Sequence, residues 1–471
     1  MNTRFASATL ILAAWGCSVG PDYERPETPT AAAYENAPQE GLTQDPAVSA
    51  WWREFGDPRL NDLIEKAVAG NRDVRSAAAL LREARALYDQ ETWSLLPSVT
   101  AHADYTRQLL SDATFLNGVP RGAREFGYFT AGFDAAWELD VFGRVRRERE
   151  ASDAEVGLAE ATRRDVLLSL LAEVARNYFE YGGARFRLEV TRKNARIQEE
   201  TLRLTVARFE GGRGTEFDVA RARAELKSTA ALIPPIETEA VRAKNRLAVL
   251  LGRQPSEFAL DPPAAGAADA LPKGVTIGKP ADLLRRRPDI RAAERRLADA
   301  TARIGVSTAD LFPRVTFTGT FGPQAPTIAG LFQSGAFAYT FGPSISWAAF
   351  DLGKVAARIR AADARAEADL HGYEQTVLLA LEETENALVQ YGRARARRDA
   401  LVEAVQAGEQ AATIADARYQ AGATDFLATL DAQRTVLSLQ MQLAESRTRT
   451  VTSLVALYKA LGGGWEAAGE N

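Results

Sequence analysis

The 471-residue chain has one cysteine, Cys17, and two histidines, His102 and His371. A lone cysteine excludes an internal disulfide, and two histidines without repeated spacing give no metal site, so neither metal nor cofactor is expected. No apolar run reaches the 18 or more residues that a membrane-spanning helix needs. Basic residues are not in excess: 57 Lys and Arg stand against 62 Asp and Glu, which offers nothing to nucleic acid. GGRGTEF (211–217) lacks the Lys-Ser/Thr ending of a phosphate-binding loop. With the carboxylates spread at surface density rather than paired, no enzyme is expected. Proline is missing from residues 121–233 and from 344 to the C-terminus, which leaves room for very long helices.

What is present begins at the N-terminus. MNTRFASATLILAAWGC sets one Arg before a short apolar run and a small residue, Gly16, just before the cysteine. That is a secretory signal layout. Residues 1–16 are expected to be removed, with Cys17 acylated as the mature end and 17–57 as a lipid-anchored segment.

The remainder is written twice. AWELDVFGRVRR (136–147) answers SWAAFDLGKVAA (346–357), with Trp137 and Trp347 210 residues apart, as are Gly143 and Gly353. ARFEGGRGTEFDVARARAEL (207–226) answers ARYQAGATDFLATLDAQRTV (417–436) at the same offset. Upstream of the Trp the offset is 216, pairing Leu96-Pro97 with Phe312-Pro313. The first copy therefore carries six extra residues between its Pro and its Trp, as a variable loop would. The copies span 58–262 and 281–462, joined by a Pro/Ala/Gly-rich linker over 263–280 and followed by a tail, 463–471.

Within each copy the hydrophobic period changes. Val99, Ala101, Ala103 and Tyr105 alternate with polar residues, as do Phe129, Phe133 and Trp137, then Val315, Phe317 and Phe321, then Phe337, Tyr339 and Phe341. A period of two predicts strands, placed at about 97–107, 125–141, 313–321 and 336–350. Pro343, on the apolar face, is expected to mark a bulge or strand start. Beyond each hairpin a helical pattern returns. One helix from about Arg144 to about Glu210 would be roughly 100 Å long at about 1.5 Å per residue, and its apolar spacing calls for neighbouring helices. Gly211-Gly212 and Gly422 break the long helices, and Gly143 and Gly353 are expected to turn the backbone from strand to helix.

Strands of about ten residues with one apolar and one polar face match membrane barrels. Four cannot close alone, because an open edge in hydrocarbon leaves backbone groups unpaired. Two, three or four copies would give 8, 12 or 16 strands, and the arithmetic does not choose among them.

The residues that carry a resemblance are Cys17 with GPDYERP (20–26), WWREFGDPRLNDLIEKA (51–67), RRPDIRAAERRLADATARIGVSTADLFP (286–313), FGPSISWAAFDLGK (341–354) and ARYQAGATDFLATLDAQR (417–434). In this order, on a duplicated chain, they resemble the TolC-like outer-membrane efflux ducts, more closely the lipidated branch paired with resistance–nodulation–division pumps. The resemblance implies a mainly α fold with a membrane β-barrel: two tandem repeats per chain, each a β-hairpin plus long antiparallel helices. It further implies a homotrimer whose 12-strand barrel continues into a 12-helix α-barrel. The implied function is a passive duct for small toxic compounds, loaded by a periplasmic adaptor and an inner-membrane pump. It also implies a periplasmic gate, at Asp431, Asp218 and Tyr419, and adaptor-docking helix tips at Gly211, Gly212 and Gly422. Thr424 and Ala428 stand where some members carry an Arg and a second Asp. The rival expectation is a lipid-anchored periplasmic helical scaffold or adaptor with no pore, which coiled helices and a lipid anchor would also suit.

Overall fold

The computed structural model describes residues 18–37, 41–45, 48–111, 113, 120–261, 271–272 and 274–468, so the signal segment and Cys17 lie outside the described residues. Strand β1 (Leu42–Thr43) is followed by helices α1 (Pro58–Gly70) and α2 (Arg72–Trp93), then strands β2 (Ser98–Leu109) and β3 (Glu125–Leu139). Helices α3 (Arg144–Glu210), α4 (Glu216–Ala231) and α5 (Ile233–Leu250) complete the first copy. After β4 (Val275–Thr276), the second copy repeats the order as α6 (Pro280–Arg286), α7 (Pro288–Ala309), β5 (Arg314–Ala325), β6 (Phe337–Ser346), α8 (Leu352–Gln420) and α9 (Phe426–Ala460). Within the expected linker, β4 pairs in parallel with β1.

Two compact units divide the chain. The first takes the residues up to Glu27, Leu80–Ala159 and Ala292–Tyr373 and holds an antiparallel sheet in the order β2-β3-β5-β6. Its register stacks like with like. Ala101 faces Phe133 and Phe133 faces Phe321, which faces Tyr339, on one side. Thr100 faces Asp134 and Asp134 faces Thr320, which faces Thr340, on the other. Gly132 and Gly322 sit opposite each other where the β3 and β5 backbones close in: a Cβ on Gly322 would lie 2.1 Å from the Ala131 carbonyl oxygen. Pro343 makes neither a bulge nor a strand start. The ladder with β5 advances one residue at a time through the Phe317–Pro343 pair.

The second unit takes Thr28–Ala79, Glu160–Arg291 and the residues from Glu374 onward. Its core is built around the WWREF motif. Trp51 is fully buried, stacks on Tyr458 at 5.2 Å and donates its indole N–H to the Gly463 carbonyl at 3.1 Å. Asp57 caps α1 by accepting from the Arg59 amide, and its other oxygen accepts from the Tyr178 hydroxyl at 2.6 Å. Burial, reinforced by that carboxylate, raises the Tyr178 phenol's pKa.

The duplication is visible in individual bonds. Asn71 donates Nδ2 to the Leu250 carbonyl at 2.9 Å while Oδ1 accepts from the amides of Asp73 and Val74, starting α2. At the equivalent place in the second copy, Arg287 donates Nη1 to the Ala460 carbonyl at 2.9 Å. A neutral amide thus performs in one copy what a guanidinium performs in the other. The guanidinium needs more support, since it is largely buried: Asp289 and Glu383 each lie 2.7 Å from Nη2. Asp289 and Glu383 keep contact with solvent, so removing Arg287 costs mainly its hydrogen bonds, including the one to the buried Ala460 carbonyl. Arg287→Ala is expected to cost about 1.5–3 kcal/mol and Asn71→Ala about 1 kcal/mol; denaturant titration of the two variants in detergent would show this order, and equal losses would contradict it.

Candidate functional site

Three regions match the expected sites: the exposed sheet, the strand-to-helix junctions and the helix tips. On the sheet, the apolar side stays uncovered by the chain itself. Phe133, Phe317, Phe321, Tyr339, Phe341 and Ile345 are all exposed. The opposite side carries Thr100, His102, Asp134, Thr318 and Thr340, with His102 Nδ1 2.8 Å from Asp134 Oδ2. Such a two-faced sheet separates an apolar medium from an aqueous one. Among the described residues no helix is long and apolar enough to cross a membrane.

At the junctions, the duplicated tryptophans have identical roles. Trp137 donates its indole N–H to the Leu95 carbonyl at 3.0 Å, and Trp347 donates to the Leu311 carbonyl at 2.9 Å. Both acceptors lie two residues before the proline that starts the copy's first strand. Each bond ties the end of the hairpin to its beginning. In the first copy Asp140 caps α3, accepting from the amides of Val145 and Arg146 at 3.0 and 2.9 Å, and Glu138 grips Arg144 through both oxygens.

The two junction glycines differ. Gly143 precedes α3 at φ 81°, a conformation that disfavours any side chain. Gly353 does not turn the chain. It is the second residue of α8, and its φ is not positive, because α8 begins one residue before its glycine and α3 one residue after. The turn in the second copy is closed instead by the Asp351 amide donating to the Ala348 carbonyl at 2.8 Å.

The start of the described chain lies at the first junction. A Cβ on Gly143 would lie 2.6 Å from Ser18 Oγ, and the Val19 amide donates to the Phe142 carbonyl at 3.1 Å. Arg147 holds the segment from below, donating to the carbonyls of Val19 and Gly20 and pairing with Asp22 at 2.7 Å. Further along, burial and then the Glu294 carboxylate push the Tyr23 phenol up to about 12.

The tips are matched turns. After α3 the Gly212 and Arg213 amides donate to the carbonyls of Phe209 and Arg208. After α8 the Gly422 and Ala423 amides donate to those of Tyr419 and Arg418, at the same distances of 3.0 and 2.8 Å. Gly212 (φ 70°) and Gly422 (φ 72°) supply the left-handed residue that ends each helix; Gly211 adopts no positive φ. Asp218 serves a capping box, its carboxylate accepting from the Thr215 amide and hydroxyl. Asp425 caps α9. Asp431 is exposed, and its side chain has no partner among the described residues. Tyr419 is buried with Phe426, Leu430 and Ala222. Arg208 lies 4.0 Å above its ring and donates to its carbonyl, a link that the paired ARF and ARY triplets signal only as repetition. Just beyond the turns, Phe217 and Leu427 stand exposed at equivalent positions.

Residues 63–253 and 280–463 match the outer membrane efflux protein family. The chain belongs to that family. It is 33% identical over 455 residues to the probable efflux pump outer membrane protein TtgC of Pseudomonas putida, covering 96% of this chain and 93% of the relative. It is 32% identical over 463 residues to outer membrane protein OprJ of Pseudomonas aeruginosa, covering 98% and 96%. The solved outer-membrane channel OprN superposes with a TM-score of 0.89 at 44% identity, over 96% of this chain and all of that one. The protein is therefore an outer-membrane efflux channel, in a family of transporters rather than enzymes.

Removing one indole donor should loosen a hairpin without unmaking it. Trp347→Phe keeps the ring and loses the bond to Leu311, so a loss of about 1 kcal/mol is expected. Thermal unfolding in detergent, compared with the same change at Trp137, would show similar small losses; a null effect at both would deny the bond its role.

Proposed function

We propose that three copies of the chain close one barrel of 12 strands in the outer membrane and continue it as 12 helices into the periplasm, forming a passive efflux duct. The observation that carries this reading is the four-stranded sheet with two open edges and an uncovered apolar face, running directly into helices of 67 and 69 residues. In hydrocarbon the edges must find partners. The order β2-β3-β5-β6 leaves β6 antiparallel to the β2 of a neighbouring copy, so closure continues the same ladder.

The duct moves small toxic compounds, drugs among them, which an inner-membrane resistance–nodulation–division pump delivers through a periplasmic adaptor. The turns at Gly211, Gly212 and Gly422 form the adaptor's docking tips, with Phe217 and Leu427 as exposed apolar contacts. Cys17 carries the lipid: its neighbour Ser18 packs against Gly143, where strand gives way to helix, so an acyl chain there enters the bilayer beside the barrel. Asp431 supplies the acidic ring of the gate. Three such carboxylates facing one bore repel one another and favour cations at the entrance. Asp218, engaged in its capping box, and Tyr419, packed under Arg208, support the gate by holding the tip's shape.

Two measurements test this. The native mass of the complex extracted from separated outer membranes is expected to be three chains plus lipid. A single chain, or protein found only in soluble or inner-membrane fractions, returns the helical scaffold as the better reading. In planar bilayers, Asp431→Ala is expected to raise the resting conductance and weaken cation block; an unchanged pore removes Asp431 from the gate.

A further inference from the structure

In the second unit, α3, α8 and α9 leave a cleft of about 630 Å³ between them. Four of the lining residues are arginines: Arg176 from α3, Arg393 and Arg397 from α8, and Arg449 from α9. One carboxylate, Glu180, also lines the cleft, and it is already paired with Arg176, as is Glu173. Arg393, Arg397 and Arg449 are exposed, and none has a partner among the described residues. The floor mixes the apolar Val389, Ala394 and Ala456 with hydroxyl groups. Ser446 and Ser453 are buried there, and Thr450 Oγ1 donates to the Ala394 carbonyl at 3.2 Å, holding α9 to α8.

Arg393 and Arg397 are one helical turn apart, and like charges at that spacing repel. Elsewhere in the same unit, arginines such as Arg187 and Arg192 have carboxylate partners on a facing helix, Glu239 and Glu237. Here three arginines line one cleft, and none is paired with a carboxylate among the described residues. A guanidinium pairs with phosphate or carboxylate through two parallel hydrogen bonds, and a single monovalent ion cannot answer three of them.

We infer that this cleft is a binding site for an oligoanion, a molecule presenting two or more phosphate or carboxylate groups, held by Arg393, Arg397 and Arg449. Its lining includes none of the gate or adaptor-tip residues. It places an anion-selective station in the helical part of a channel whose proposed entrance favours cations.

The test uses the full protein in detergent with inorganic tripolyphosphate as probe, measured by titration calorimetry at low and at high salt. Expected are one probe bound per chain, affinity falling with salt, and at least tenfold weaker binding in Arg393→Gln/Arg397→Gln. Arg449→Gln, on a different helix, should weaken binding independently, while Arg82→Gln, on α2, should not. Unchanged circular dichroism and native mass show that each variant is folded. If tripolyphosphate does not bind but nanodiscs containing phosphatidylglycerol do, and the same substitutions abolish that binding, the oligoanion is a lipid headgroup array. Absence of saturable binding by either probe, as when a neighbouring copy covers the cleft, overturns the inference. So does binding that the arginine substitutions leave unchanged.

Discussion

A backbone N–H or C=O cannot be left unpaired in hydrocarbon, where each costs several kcal/mol, and most of this architecture follows from that constraint. The sheet of four strands has outer edges at β2 and β6 and an apolar face that its own chain does not cover. Neither those edges nor that face is satisfied by the chain itself. The glycine pair Gly132 and Gly322, which brings β3 and β5 together at the seam between the repeats, matters for the same reason. A side chain at either position would open the ladder where the two hairpins join.

The repeats show how a duplicated fold keeps a bond while changing the chemistry that makes it. The indoles of Trp137 and Trp347 serve the same carbonyl position in each copy with the same residue type. Asn71 and Arg287 serve another with different types, and the charged version recruits Asp289 and Glu383 to make its burial tolerable. At the tips both copies share a backbone turn, but one helix is capped by a Thr–Asp box and the other by Asp425 alone. The hydrogen-bonding need is fixed by the turn, while the side chain that meets it is free to drift.

Charge follows a similar logic. Along the helices a number of arginines meet a carboxylate, either one turn away, as Arg303 meets Asp299, or on a neighbouring helix, as Arg434 meets Glu225. Exposed pairs of this kind add little stability each.

Much of the architecture was legible in the sequence because it rests on short-range patterns. Alternation over ten residues places the strands and their faces, the long proline-free stretches set out α3 and α8, and the glycines at 212 and 422 end them. The 210-residue echo of Trp137 at Trp347 revealed the duplication. Tertiary structure decided whatever depends on partners distant in the chain. Gly353 looks like Gly143 in the sequence, yet it lies inside a helix because its neighbours start that helix earlier. Pro343 lies within an unbroken ladder with β5, Asp218 is occupied by its own cap, and Ser18 lies against a glycine 125 positions away (143 − 18). The cleft of arginines takes members from three helices separated by some 270 residues of chain (449 − 176 = 273). Periodicity records which face a residue prefers; only packing determines what that face meets.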